Sequence, residues 1–264
     1  MKFYTSDRVE LDYDDFGAEN QQTVAILSGI GAYKEYWEAT IDVLVANGYR
    51  VINVDARNQG QSEHTNKGLR ISKHAMDLRE LLQNLNITKP ILMGNSMGAS
   101  TMFAYVSLFG DQNVAGIVDV DQSPKMINDN NWKYGFKDIT WSDFHATLHQ
   151  PFGKATYHNF DNKLFEKLQE IKNEAPYDAE LNFPLLVDHA VQDWRSLIAN
   201  LNCPLLVVCG EKSPYFNPEF RKVMENLSDQ VESAVVSEAG HLVMGEQPEK
   251  FNKILVNWLK ISLS

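Results

Sequence analysis

Residues Gly94-Asn95-Ser96-Met97-Gly98 place a serine between two glycines at a spacing that could serve chemistry. They follow a short apolar run, Pro90-Ile91-Leu92-Met93, and precede Ala99 to Phe109, where Ala99, Met102, Phe103 and Val106 recur at helical spacing. Strand, Gly-x-Ser-x-Gly, helix is the setting of a nucleophile elbow. The turn is tight enough to strain the serine, and its neighbours two positions away must lack side chains. The hydroxyl then stands clear of the sheet at the amino end of a helix, whose dipole favours developing negative charge. Such a serine attacks acyl carbons, and it needs a base to take its proton during attack. Five residues of this kind also arise by chance. Their meaning depends on what the rest of the chain supplies.

The elements that must position Ser96 are legible as an alternation. Thr23 to Leu27 reads as a strand, followed by the turn Ser28-Gly29-Ile30-Gly31 and an amphipathic helix around Tyr36 to Ala46. A strand at Arg50 to Val54, a helix at Lys73 to Leu85, the Pro90 strand with its helix, and a strand at Val114 to Val120 come next. This pattern predicts an α/β fold with a mostly parallel central sheet flanked by helices on both faces. From Lys125 to Ala199 no strong strand appears; helical stretches at Lys163 to Asn173 and Leu186 to Asn200 dominate, amid aromatics such as Trp132, Phe136, Trp141 and Phe152. Alternation resumes at Cys203 to Cys209, with a helix near Pro218 to Asn226, a strand at Val231 to Val236 and a closing helix at Gln247 to Leu259. The expected organisation is a core domain over residues 1–124 and 200–264, with a helical cap over residues 125–199 inserted after the sixth strand and lying over the strand ends.

Composition narrows the partners. A net charge of -11 argues against nucleic acid and anionic membranes, both of which call for a basic surface. No apolar run of about 20 residues is present. The opening residues lack the apolar core of a secretory signal, so the expected location is cytoplasmic. Cys203 and Cys209 lie too far apart in one strand to bridge and read as buried and reduced. The histidines are scattered; His145 and His149 are four apart but have no third ligand nearby, so neither a metal nor a cofactor is expected.

Four segments together resemble the α/β-hydrolase family over nearly the full chain. Ser28-Gly29-Ile30 with Trp37 is similar to the family's His-Gly-x turn. Asp55 to Ser62 matches its Asp-x-Arg-x-x-Gly-x-Ser loop, Gly94 to Gly98 its elbow, and Ala239-Gly240-His241 with Glu246-Gln247-Pro248 its Gly-His ending. The resemblance implies Ser96 as nucleophile, His241 as base, and the backbone N–H groups of Ile30 and Met97 as the oxyanion hole. The acid departs from the pattern. The family's common position after the seventh strand reads Gly210-Glu211-Lys212-Ser213-Pro214, with serine in place of aspartate. The family's second acid position, after the sixth strand, holds Asp121, 25 residues beyond Ser96. Asp121 is therefore assigned as the acid, ahead of Asp119 and then Glu211 and Glu238. Asp55 and Arg57 are read as organising their own loop and a buried ion pair. Asp193-Trp194-Arg195 is read as docking the cap's last helix.

The implied activity is hydrolysis of small to medium carboxylic esters through an acyl-enzyme, with a small-molecule ester as partner. Lactone, amide or carbon–carbon hydrolysis and perhydrolysis, as in non-haem haloperoxidases, are alternatives on the same site. A catalytically weak ligand-binding pseudoenzyme is the alternative of another class, motivated by Ser213. Aspartate-nucleophile reactions are disfavoured by the serine at 96.

Overall fold

In the computed structural model, which describes residues 1–263, eight strands form one sheet. They are β1 (Lys2–Tyr4), β2 (Glu10–Phe16), β3 (Thr23–Leu27), β4 (Arg50–Asp55), β5 (Ile91–Asn95), β6 (Gly116–Val120), β7 (Leu205–Gly210) and β8 (Val231–Val236). The spatial order is β1-β2-β4-β3-β5-β6-β7-β8, parallel from β4 through to β8. Residues of β3, β5, β6 and β7 are buried throughout, which explains their unbroken apolar character: helices cover both faces. Successive side chains go to opposite sides. Val24, Ile26, Met93 and Val208 join Trp37, Phe251 and Trp258 in one core, while Ala25, Leu27, Leu92 and Val207 join Leu78, Phe103 and Phe220 in the other.

The helices are α1 (Glu38–Ala46), α2 (Ile71–Asn84), α3 (Met97–Phe109), α4 (Phe144–Leu148), α5 (Asn162–Glu174), α6 (Ala179–Ala190), α7 (Arg195–Ile198), α8 (Phe220–Leu227), α9 (Val243–Glu246) and α10 (Pro248–Ser262). A 3-10 turn at Lys34–Trp37 leads into α1. No helix among the described residues is long and apolar enough to cross a membrane.

Two differences from the sequence reading have physical causes. The hairpin β1–β2 was not expected, because Glu-Leu-Asp-Tyr-Asp-Asp-Phe is dominated by charge. Leu11 and Tyr13 face the core while Asp12 pairs with Lys34, and β2 joins β4 antiparallel. Charge of this kind suits the edge of a sheet, where it discourages pairing with other chains. The single helix expected over 186–200 is instead α6 and α7 with a break between them. In the break Asp193 bridges to Lys125 and the Trp194 N–H donates to Pro124 O at 2.8 Å, so the chain is pulled back to the end of the core. Arg195 closes on its neighbour Asp193 and lies over the Trp132 ring at 5.2 Å.

Arg57 does form a buried ion pair, but not with Asp55. Its guanidinium meets Asp77 in a bidentate pair at 2.6 and 2.8 Å and Asp7 at 3.0 Å. Asp55 accepts the backbone N–H groups of Lys34 and Gln61, each at 3.0 Å, and burial raises its carboxyl to about 7. Cys203 and Cys209 are both buried and unbridged.

Candidate active site

Ser96 is the single residue between β5 and α3, and it has φ 55° and ψ −125°. A positive φ is a strained conformation for serine, held here by the packing around it. A side chain at Gly94 would overlap the backbone of Gly98 and Ala99, and one at Gly98 would overlap the carbonyl of Leu27. Those overlaps are why the elbow needs both glycines. The Ser96 N–H donates to Val120 O at 3.0 Å. Asn95 adds its side-chain amide to Val120 O at 2.9 Å and to His241 O at 3.1 Å. The elbow, the end of β6 and the His241 loop are thereby fastened to one another.

Asp121 follows β6 and is fully buried. Its Oδ1 accepts the Gly210 N–H at 3.0 Å. Its Oδ2 accepts the Ser213 hydroxyl at 2.6 Å and faces Nδ1 of His241 at 2.7 Å. Ser213, which stands where the family pattern expects an aspartate, thus donates to the carboxylate at 121. Asp119 lies deeper, accepting the Gln122 N–H at 3.1 Å, and its second oxygen has no partner among the described residues. Burial, reinforced by the charge of Asp121, pushes the Asp119 carboxyl far above the usual carboxylate range. Glu211 and Glu238 are exposed, the first accepting the N–H of the second at 3.1 Å.

His241 is only 5% exposed, with the Tyr215 ring 4.7 Å away. Its loop is gripped by Glu246, whose carboxylate accepts four backbone N–H groups. Gly240 and Leu242 are bound at 2.9 and 3.2 Å, and Tyr157 and His158 at 2.7 and 2.9 Å. The His241 N–H donates to Ala155 O at 2.9 Å. Segment 155–158, between α4 and α5, is therefore bonded directly to the histidine loop.

Met97 opens α3, where amide N–H groups have no acceptor within the helix. Ile30 lies in the turn after β3, and a side chain on its neighbour Gly29 would come within 2.9 Å of Ser96 Cβ. Ser28 shapes this turn by donating to Tyr33 O and accepting the Trp37 indole N–H, both at 3.0 Å.

Ser96, His241 and Ile30 border one cavity of about 300 Å³, walled mainly by Phe136, Phe152, Tyr177, Leu186, Tyr215 and Phe216. No Lys, Arg, Asp or Glu lines it among the described residues. Sequence reasoning did not find three features of the site: the donation from Ser213 to Asp121, the full reach of Glu246, and His189 of α6, which also lines the cavity. Nothing local marks His189, since a histidine in a helical stretch has packing as its default role. His145 and His149 stand 5.4 Å apart, with His149 stacked on Phe183 at 3.4 Å. Among the described residues no group of three or more His, Cys, Asp and Glu could hold a metal.

Comparison with known proteins identifies the fold family. The chain is 22% identical to a putative non-heme chloroperoxidase of Synechocystis, covering 96% of this chain and 95% of that protein. It is 23% identical to 3-oxoadipate enol-lactonase 1 of Acinetobacter baylyi, covering 92% and 91%. An esterase structure from Exiguobacterium antarcticum superposes with a TM-score of 0.84 at 23% identity, over 98% of this chain and 99% of that one. Those identities establish a shared fold. The family model for the alpha/beta hydrolase fold matches residues 22–248, which include the elbow, the Asp121 turn and the His241 loop, and on that match the chain belongs to the α/β-hydrolase family.

Proposed function

We propose that this hydrolase cleaves uncharged carboxylic esters of small to medium size through an acyl-enzyme. The observation that carries the reading is the 2.7 Å contact between Asp121 Oδ2 and His241 Nδ1, with Ser96 and His241 on one cavity. In this reading Ser96 Oγ bonds to the ester carbonyl carbon while His241 Nε2 takes the hydroxyl proton. Asp121 holds the ring in the tautomer that leaves Nε2 free, and its charge stabilises the imidazolium that forms. The backbone N–H groups of Ile30 and Met97 receive the carbonyl oxygen as it becomes an oxyanion. His241 returns the proton to the departing alcohol. Water, activated by the same imidazole, then releases the acid and restores Ser96. Every group in the sequence belongs to the chain, so the reaction calls for no cofactor.

The cavity wall favours an uncharged ester over the chemistries of some relatives. The enol-lactonase relative is named for an enol-lactone of 3-oxoadipate, in which one carboxyl closes the lactone ring and the other stays free. A carboxylate entering this cavity would meet aromatic walls and no cationic side chain among the described residues. Stripping water from carboxylates without a cation to pair them costs several kcal/mol per ion. The aromatic lining instead suits an apolar acyl or alcohol group. Two buried free cysteines fit a reducing, cytoplasmic setting.

A fluorophosphonate probe tests the nucleophile, and a panel of esters, lactones, amides and peroxide-dependent reactions tests the class. Labelling confined to Ser96, with neutral esters turned over fastest, is the expected result. Folded protein that neither labels nor hydrolyses any ester would be a binding protein instead.

A further inference from the structure

We infer that His189 is a specificity-determining residue, forming a polar subsite that hydrogen-bonds an uncharged oxygen substituent of the substrate, such as a hydroxyl, ether or ketone remote from the scissile ester. The inference rests on the reading of the Ser96 cavity as the substrate site.

His189 sits in the last turn of α6, flanked by the buried Leu185, Leu186 and Ala190. An apolar side chain would complete that surface. The imidazole is only 3% exposed, and its Nδ1 has no partner among the described residues. Nδ1 is sealed from the cavity; Nε2 likewise forms no hydrogen bond among the described residues and is the ring nitrogen left accessible, so a ligand atom would pair with the ring there. His74 provides the contrast: it too is buried with unpaired ring nitrogens, but it borders no cavity beside Ser96. Unpaired burial alone therefore points nowhere. Unpaired burial on the wall that carries Ser96 and His241 points to a ligand.

The chemistry of that ligand follows from the ring's charge. Burial holds the His189 imidazole down to about 3, and the other titratable group acting on it is His241, which lowers it further. The ring is neutral at pH 7, with one N–H to donate and one lone pair to accept. A neutral oxygen matches it. A carboxylate would need a cation, and the cavity wall has none among the described residues.

The ring is also held in place. One residue before it, Asp188 accepts the Ile71 N–H at 2.8 Å at the start of α2. Just after it, Trp194 N–H bonds to Pro124 O, beside the Asp121 turn. With both contacts at the C-terminal end of α6, the turn that carries His189 keeps one position relative to Ser96, which selectivity between similar substrates needs.

Uncleavable ketones separate this inference from turnover. The ethyl phenyl ketones bearing a hydroxyl at each ring position are paired with the corresponding methyl compounds, and binding to the parent, His189→Leu and His189→Gln is measured by calorimetry. At least one hydroxyl isomer should bind the parent about 3- to 10-fold tighter than its methyl partner, the range for one neutral hydrogen bond. His189→Leu should abolish that preference while leaving the methyl ketone bound as well or better. His189→Gln, which keeps a donor and an acceptor, should retain part of it and carries the comparison if the leucine variant does not fold. No preference in the parent, no binding of either series, a preference that survives His189→Leu, or equal weakening of both series would overturn the inference. Because the ketones are bound and not cleaved, a retained preference in protein that fails the fluorophosphonate test would sink the esterase reading and leave the subsite standing.

Discussion

Ser213 donates its hydroxyl hydrogen to Asp121 Oδ2 at 2.6 Å, on the same oxygen that faces His241 Nδ1 at 2.7 Å. One carboxylate oxygen thus connects two family acid positions, one held by Asp121 and the other by a hydroxyl donor to it.

Asp121→Asn is expected to lower kcat/KM for a neutral ester by about 10⁴-fold, because the amide favours the wrong histidine tautomer and carries no charge. Ser213→Asp in that background places a carboxylate within reach of the same point and should recover at least about tenfold of the loss. Steady-state kinetics on the single and double variants checks both. A single variant as active as the parent would return the acid assignment to open competition.

Asp119→Asn provides the contrast. Burial favours the protonated form of Asp119 in the folded chain, so a neutral amide is a close replacement and turnover should stay within a few-fold of the parent. The stability effect has a definite sign. Above the ordinary value of 3.8 the unfolded chain releases the Asp119 proton more readily than the folded chain, so this group's contribution declines as pH rises. Urea melts from pH 4 to 8 should show the asparagine variant gaining on the parent as pH increases.

Glu246→Ala removes the acceptor for four backbone N–H groups in the His241 loop and the 155–158 segment. Expected is a loss of about 3 kcal/mol in unfolding free energy, with kcat falling alongside it, since breaking a buried charged network leaves donors stranded. Glu246→Gln should sit between the two. Denaturant titration with parallel ester kinetics separates the loss of fold from the loss of alignment.

Ser28→Ala leaves the fully buried Trp37 indole N–H without its acceptor. A destabilisation of about 1–3 kcal/mol is expected from the stranded donor. Turnover should stay within about threefold of the parent, because the oxyanion donors in the proposed mechanism are backbone amides. A large loss of kcat without loss of stability would mean that the serine hydroxyl itself assists the reaction.

What the sequence determined by itself is whatever rests on short-range pattern. Apolar runs separated by amphipathic stretches specify a parallel sheet covered by helices, because strand and helix periods are local properties. The elbow is equally local: strand, two glycines around Ser96 and helix lie in the one continuous stretch from Ile91 to Phe109. His241 and Asp121 were legible through their loops. The charged strand β2 was not, since its value as an edge depends on which strand it joins. Tertiary structure alone decided the rest. Whether Asp121 or Asp119 faces the imidazole is a matter of depth at a strand end, which two positions in one apolar run do not disclose. Ser213 reaches Asp121 across 92 residues of sequence, and Glu246 reaches Tyr157 across 89. His189 meets the cavity because the last turn of α6 is bonded to the start of α2 and the segment after it to Pro124. Hydrogen-bond partners so far apart in the chain are chosen by packing, and packing exists only once the chain has folded.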